Sequence, residues 1–282
     1  MPSSSNRLDL LRQDIDAIDA AIHDLIVKRA TIVEDIRKIK NRAGPALRPG
    51  REATILRNLA ARHQGRFPLK AILCVWREMI SAFTHMQEPL SAAIYAPPGR
   101  EGLFGLARDH YGTLTPLSPA TTAAAAVRAV ADQKAYLAVL PLPGDQDTEC
   151  WWPLLIGNEG KTPRVITRLP FASEGKGEQA LVVANWPRDP SDDEASLIVV
   201  ELAERASRGR IVEAMRTARL EKAVLLAGGD PDRGRSFHLV EVDGEVGGDD
   251  QRLGALGAAI GESFVQAQPI GGYARPLALT TG

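Results

Sequence analysis

The 282-residue sequence has only two cysteines, too few for a disulfide framework or a thiolate metal site. It has 34 Lys and Arg against 35 Asp and Glu, so no excess charge points to nucleic acid as a partner. No run approaches the ~18 apolar residues of a membrane span, and the first residues, MPSSSNRLDLL, contain no apolar signal segment. Dinucleotide, P-loop and zinc motif spacings are absent as well. We therefore expect a cytoplasmic protein without a metal or other cofactor.

What the sequence does contain is 44% hydrophobic residues over a length that suits two or three domains. Residues 6–88 are predicted to be entirely helical. A first helix begins after Ser5 or Asn6 and runs to about Arg42, where RAGPALRPG interrupts it. At ~1.5 Å per residue this helix would be ~55 Å long. The two short helices that follow, REATILRNLAARHQ and a segment after Pro68, cannot cover the apolar face of a helix of that length. We therefore expect an intertwined homodimer through the N-terminal helices.

Two cations interrupt the apolar face of the first helix. Arg29 lies seven residues after Ile22 and seven before Ile36, and Lys40 follows Ile36 by four. A buried cation needs an internal carboxylate or a bound anion. Carboxylates that could serve as internal partners are Asp16, Asp19, Glu34, Asp35 and Glu52.

Further polar residues extend this set. Arg51 and Glu52 open the second helix, and Gln87 lies one turn beyond Phe83 on the third. Arg12 points about 100° away from Arg29 and would reach such a site only from the other chain of a crossed dimer. Together these residues predict a small cationic pocket for a compact dianion.

The stretches LDLLRQDIDAIDAAIHDLIVKRATIVEDIRKIKN, RPGREATILRNL and WREMISAFTHMQEPL resemble the all-helical class of chorismate mutases. The resemblance implies that Arg29 and the partner's Arg12 bind the two carboxylates of chorismate. It implies that Lys40 and Gln87 donate to the ether oxygen and that Glu52 accepts from the ring hydroxyl, with Arg48 and Arg51 as further substrate-binding residues. Such a site converts chorismate to prephenate by a [3,3] rearrangement, which needs positioning and charge stabilisation rather than a nucleophile.

The remaining chain alternates strands and helices, which predicts an α/β region over 91–190 and a further domain over 191–282, joined by a polar linker at 187–194. The last segment is predicted as β-α-β-β-α-β, the ferredoxin-like order. EPLSAAIYAPPGREGLFGLARDHYG and AVRAVADQKAYLAVLPL resemble a prephenate dehydratase, and the close IGGYARPL resembles the ACT domain that follows it. The resemblance thus implies a bifunctional chorismate mutase–prephenate dehydratase architecture.

The dehydratase resemblance lacks its expected catalytic parts. Residues 91–190 are about half the length of a two-lobed domain, GEQALVVANW stands where Thr-Arg-Phe is expected, and PGDQDTECWW replaces Glu-Asn-Thr. We interpret this region as a shortened, catalytically silent remnant. The ACT-like ligand stretches are replaced by SRGRIVEAM and GGDPDRGR, which leaves open whether the region binds an amino acid, binds a protein, or stabilises the mutase.

Two alternatives remain at this stage. An isochorismate-pyruvate lyase uses the same helical fold and cationic pocket. A non-catalytic regulatory protein of the shikimate pathway could retain the fold as a binding module.

Overall fold

A computed structural model describes residues 4–39, 45–144, 149–158, 160, 162–175, 177–186, 189–220, 222–230 and 234–279. Lys40 and the predicted end of the first helix at Arg42 lie outside these ranges. The helices are α1 (Ser4–Ile39), α2 (Pro49–Arg62), α3 (Leu69–Gln87), α4 (Leu103–Tyr111), α5 (Ala123–Ala131), α6 (Arg208–Thr217) and α7 (Gln251–Ile260).

The strands alternate with these helices after residue 90, as the sequence predicts. They are β1 (Ala92–Ile94), β2 (Leu117–Pro119), β3 (Leu137–Pro141), β4 (Arg164–Leu169), β5 (Ala172–Ser173), β6 (Ala180–Ala184), β7 (Glu194–Leu202), β8 (Val224–Gly229), β9 (Ser236–Asp243), β10 (Phe264–Ala274) and β11 (Leu277–Ala278). The short strands β2, β5 and β11 are not among our predictions, because two or three residues give no measurable alternation.

Helix α1 is a rod of 36 residues whose apolar face lies in solvent within the single chain. Twelve large aliphatic side chains along it are between 36% and 81% exposed; they are Leu8, Leu10, Leu11, Ile15, Ile18, Ile22, Leu25, Ile26, Val27, Ile32, Ile36 and Ile39. Each would contribute about 1.5–3 kcal/mol if it were fully buried. An apolar face of this length indicates a surface that another protein surface covers.

Helix α3 buries a different face from the one that its apolar pattern predicts. Of the predicted set, only Phe83 is buried, whereas Ile72, Trp76, Met79 and Ile80 are half-buried. The buried positions are instead Leu73, Arg77, Ser81 and Thr84, together with Phe83. Arg77 and Ser81 face the α/β region, where the Ser81 hydroxyl donates to the carbonyl of Tyr111 at the end of α4. The prediction was wrong because α3 packs on two sides and not on one.

A single nine-stranded sheet of order β2-β1-β3-β6-β4-β10-β7-β9-β8 runs through the chain after residue 91. The strands β1, β2 and β3 are parallel to one another, with α4 and α5 as the crossovers, while β6 is antiparallel to both β3 and β4. Strand β10 lies between β4 and β7, and among the described residues it is the connection between the two halves of the sheet.

The C-terminal segment has the predicted order β7-α6-β8-β9-α7-β10. Its four strands are antiparallel in the order β10-β7-β9-β8, which confirms the ferredoxin-like arrangement. Helices α6 and α7 pack on one face of these strands. Trp151 and Trp152 are fully buried on the other face, beside Val199 and Leu239.

Residues 189–193, within the segment that the sequence predicts as a polar linker, are docked on α2. The Asp189 carboxylate accepts from the backbone N–H of Gly50 (2.9 Å) and Arg51 (3.2 Å), which satisfies free donors of the first turn of α2. Gly50 approaches Pro190 so closely that a Cβ would collide with its carbonyl. Arg57 donates to Ser191 (2.8 Å) at the other end of the contact. These contacts join residues about 140 positions apart in sequence, so local composition does not predict them.

In the described part of the chain, no helix is both long enough and apolar enough to cross a membrane.

A small apolar cluster joins the helical segment to the sheet. Phe171, which follows β4, is buried against Ala53 and Leu56 of α2 and Leu73 of α3. We expect Phe171→Ala to lower the free energy of unfolding by about 3–5 kcal/mol, because it leaves a cavity at this junction. Phe67→Ala is the matched control, since Phe67 is 58% exposed and its loss should change stability by less than about 0.5 kcal/mol. Urea denaturation followed by circular dichroism measures both; equal effects would contradict the docked arrangement.

Candidate active site

Arg29 of α1 is half-buried against Phe83 of α3 and lies within electrostatic range of the exposed Arg51 of α2. The Arg29 guanidinium carbon lies 4.7 Å from the centre of the Phe83 ring, and its side chain is half-buried. Burial and the nearby charge of Arg51 both lower the pKa of Arg29. Neither arginine side chain forms an ion pair with a described carboxylate, so the salt bridge that the sequence left open for Arg29 is not formed within the described residues.

Gln87 lies one turn beyond Phe83 on the same helix, where its Nε2 donates to the Phe83 carbonyl at 3.3 Å. Arg37 of α1 donates to the Met86 carbonyl at 2.6 Å and holds the end of α1 beside the end of α3. The described part of α1 ends at Ile39, so the position of Lys40 relative to these residues stays a prediction.

Arg12 and Arg48 lie apart from this group. Arg12 precedes Arg29 by 17 residues, which is about 25 Å along the helix axis, and it pairs with Asp9 at 3.2 Å in solvent. Arg48 pairs with Asp189 at 2.7 Å near the start of α2. Within one chain, neither reaches Arg29.

Glu52 faces the α/β region. Its side chain is only 14% exposed, and its Oε2 lies 4.0 Å from Nε2 of His110 on α4. Nη1 of Arg77 donates to Nδ1 of the same histidine, and because arginine can only donate, this leaves His110 neutral with its proton on Nε2. Burial raises the pKa of Glu52 to about 7 and holds the pKa of His110 well below its usual value. Glu52, Arg77 and His110 therefore form a buried polar cluster between α2, α3 and α4.

Our sequence analysis missed Arg77 and His110. Arg77 stands at the spacing i+4 from Leu73 and i−4 from Ser81, so a second buried face on α3 was visible in the sequence. His110 lies near the end of an amphipathic helix, where a histidine is ordinarily a surface residue. Its burial depends on the contact with α3, so the local sequence gives no sign of it.

The sequence also contains a Thr-Arg pair that our search of GEQALVVANW did not cover. Thr167 and Arg168 lie on β4, followed by Leu169 in place of the expected phenylalanine. Nη1 of Arg168 donates to Glu241 (2.9 Å) and to the Tyr273 hydroxyl (3.1 Å). Thr167 is buried and lines a void of about 10 Å³ beside Glu52, Arg77 and His110. A void of this size holds at most one water molecule.

These helices have known relatives. Residues 11–88 match the family model of chorismate mutase type II. We call residues 11–88 the mutase segment. It contains Arg12, Arg29, Glu52 and Gln87, four of the residues singled out above.

Curated relatives of the chain include three bifunctional chorismate mutase/prephenate dehydratases. The protein of Stutzerimonas stutzeri is 30% identical over 118 residues, which are 39% of this chain and 32% of the relative. That of Pseudomonas aeruginosa is 27% identical over 148 residues (50% and 40%), and that of Neisseria gonorrhoeae is 33% identical over 88 residues (31% and 24%). The chain thus spans well under half the length of these relatives.

Solved structures with a similar arrangement include prephenate dehydratases. The enzyme from Streptococcus mutans is 11% identical, with a TM-score of 0.43 over 66% of this chain and 98% of that one. The enzyme from Arthrobacter aurescens, in complex with L-Phe, is 11% identical with a TM-score of 0.43 over 68% and 92%. A quorum-quenching acylase, GqqA, is 15% identical with a TM-score of 0.44 over 65% and 94%.

The raised pKa of Glu52 makes a prediction about stability. A carboxyl group whose pKa rises from 4.5 to about 7 on folding stabilises the fold below pH 4.5, and this contribution is lost as the pH rises through 7. Glu52→Gln does not titrate. We therefore expect its free energy of unfolding to increase relative to the wild type between pH 5 and pH 8, by up to about 3 kcal/mol at ~1.4 kcal/mol per pH unit.

Urea denaturation of both proteins at pH 5 and pH 8 measures this difference, from which the contribution of His110 cancels. Glu34→Gln, an exposed carboxylate on α1, is the control and should behave alike at both pH values. A Glu52→Gln difference that does not change with pH would contradict the burial of this carboxyl group.

Proposed function

We propose that the protein is a chorismate mutase that converts chorismate to prephenate in aromatic amino acid biosynthesis. The observation that carries the proposal is Arg29, half-buried against Phe83, exposed to the charge of Arg51 and without a described counter-ion, on the segment that matches the mutase family. Such an arrangement is electrostatically unfavourable until an anion neutralises it, and a dicarboxylate such as chorismate does so. Arginine also binds carboxylates with two parallel hydrogen bonds, which fixes the orientation of the substrate.

The proposed site is completed by a second copy of the chain. Two α1 helices that cross would cover the exposed apolar face of each and carry the partner's Arg12 to the neighbourhood of Arg29. Lys40 and Gln87 would then donate to the ether oxygen, where negative charge builds up as the C–O bond breaks. Arg48 and Arg51 would support the substrate from the start of α2.

Glu52 has two candidate partners under this proposal. As an acceptor for the substrate hydroxyl it would have to leave the His110 side of α2, towards which the carboxylate points in the single chain. The proposal therefore requires α2 or the Glu52 side chain to reorient when the dimer forms or the substrate binds.

We further propose that the α/β region has no dehydratase activity. The strands β1, β2, β3, β4 and β6 form one layer of sheet, which corresponds to a single lobe. Thr167, the expected catalytic residue type, lies beneath α2 and α3 beside a void too small for a substrate. The helical segment thus occupies the space through which a substrate would approach Thr167.

The direct test measures mutase activity of the wild type and of Lys40→Ala. We expect the variant to lose about 100–1000-fold in kcat, the usual effect of removing one donor to a developing oxyanion. Lys38→Ala is the matched control, because Lys38 is an exposed lysine two residues away that pairs with Asp35. Equal effects of the two substitutions would refute the proposed role of Lys40.

The same proteins are assayed with isochorismate and with prephenate. Turnover of isochorismate to pyruvate that exceeds mutase activity would replace the proposal by the lyase alternative. Measurable dehydration of prephenate would contradict the proposal that the α/β region has no dehydratase activity.

Mixing two inactive variants tests the dimer. In a crossed dimer each site combines Lys40 of one chain with the partner's Arg12, so Arg12→Ala and Lys40→Ala together form a hybrid with one intact site. We expect a mixture refolded from denaturant to recover roughly a quarter of wild-type activity, since about half of the dimers are hybrids with half of their sites intact.

Arg29→Ala mixed with Lys40→Ala is the control, because both residues belong to the same chain's site and the hybrid contains no intact one. Recovery in the control mixture, or none in the first mixture, would contradict the shared site.

A further inference from the structure

The chain that leads into β7 contacts α2 at two points. Asp189 contacts the first turn of α2. Arg57, about two turns later, donates to Ser191 (2.8 Å) and to the carbonyls of Asp193 (2.8 Å) and Arg275 (2.9 Å). Asp193 precedes β7 and Arg275 follows β10, and these two strands are paired. The position of α2 is therefore tied to the ferredoxin-like strands.

The Asp189 carboxylate joins an arginine side chain to the start of a helix. Its side chain is only 9% exposed, and its two oxygens have different donors. Oδ1 lies 2.7 Å from both Nε and Nη2 of Arg48, whereas Oδ2 accepts from the backbone N–H of Gly50 (2.9 Å) and of Arg51 (3.2 Å). One carboxylate thus fixes the guanidinium group of Arg48 and the backbone of Arg51 together.

This contact leaves Arg48 able to bind a second carboxylate. A guanidinium group has N–H donors along several edges, and Asp189 contacts the edge formed by Nε and Nη2. The Nη1 end is not needed for that contact, and 48% of the side chain is exposed. An arginine that is already oriented loses less conformational entropy when a ligand binds, so the ion pair with Asp189 favours binding of an anion.

We propose that Asp189 is a positioning residue of the mutase site, where it orients Arg48 and Arg51 for the carboxylates of the substrate. The inference rests on the proposed function, in which these two arginines support the substrate from the start of α2. It adds a contribution from outside the mutase segment, since Asp189 lies beyond residues 11–88, next to β7. The ferredoxin-like region thus affects the mutase reaction through the placement of α2.

Asp189→Asn separates the two contacts of the carboxylate. The amide keeps one oxygen for the N–H groups of α2, but its NH2 group then faces the guanidinium group of Arg48, donor against donor. With chorismate as substrate, we expect KM to rise about five- to tenfold and kcat to change less than about twofold, because the variant loses an oriented binding group and no donor to the ether oxygen. Asp192→Asn, an exposed residue of the same segment, is the matched control and should leave both constants unchanged.

A double-mutant cycle with Arg48→Ala distinguishes positioning from a general loss of structure. If Asp189 acts through Arg48, Asp189→Asn should change KM by less than about twofold in the Arg48→Ala background. Circular dichroism and urea denaturation check that each variant is folded. An equal rise of KM in both backgrounds would refute the positioning of Arg48.

Gly50→Ala tests the same contact from the side of the helix. An added Cβ would lie 2.2 Å from the carbonyl oxygen of Pro190, so the segment that carries Asp189 must move away from α2. We expect KM to rise by about the same factor as in Asp189→Asn, with little further rise when the two substitutions are combined. Gly254→Ala on α7, where an added Cβ meets nothing within 4 Å, is the control. An unchanged KM in Gly50→Ala would contradict the role of the docked segment.

The outcomes separate this inference from the proposed function. A wild type without mutase activity would refute the proposed function and the inference with it. Mutase activity with an unchanged KM in Asp189→Asn would refute the inference alone. A lower KM in Asp189→Asn would also overturn it, because Asp189 would then compete with the substrate for Arg48.

Discussion

The length of α1 is the constraint on which the arrangement of the helices depends. A rod of 36 residues is about 54 Å long, and α3 contacts its C-terminal part at Arg29 and Arg37. Helix α3 therefore lies between α1 on one side and α4 of the α/β region on the other. Arg77 and Ser81 pack on α4, whereas Phe83 contacts Arg29 of α1.

The mutase resemblance places Arg51 and Glu52 in one site, but helix geometry directs their side chains to different surroundings. Neighbouring residues of an α-helix point about 100° apart, so Arg51 and Glu52 at the start of α2 do not share surroundings. Arg51 lies towards Arg29 and the cationic group. Glu52 lies in the buried cluster with Arg77 and His110, where a carboxyl group is partly protonated at neutral pH. The cationic group and the carboxyl group that should complete it thus lie in different surroundings on one helix turn.

The features that local sequence encodes were predictable, and those that depend on distant contacts were not. The three N-terminal helices and the β-α-β-β-α-β order follow from apolar periodicity and from Gly- and Pro-rich breaks. The buried face of α3 does not, because its choice depends on α4, about 30 residues away. The docking of Asp189 on α2 spans 139 residues and gives no local signal. In the candidate site, the cationic pocket stays a prediction, and the direction of Glu52 towards His110 is a tertiary effect that the sequence pattern does not contain.

The place of β10 in the sheet has a consequence for the order of events on the ribosome. Strands β4 and β7 are separated by a gap that β10 fills, pairing parallel to one and antiparallel to the other. This strand comprises residues 264–274, so it is translated after the eight other described strands of the sheet. Until β10 is translated, the facing edges of β4 and β7 have no partner strand. Nascent chains on neighbouring ribosomes could pair with those edges during this interval.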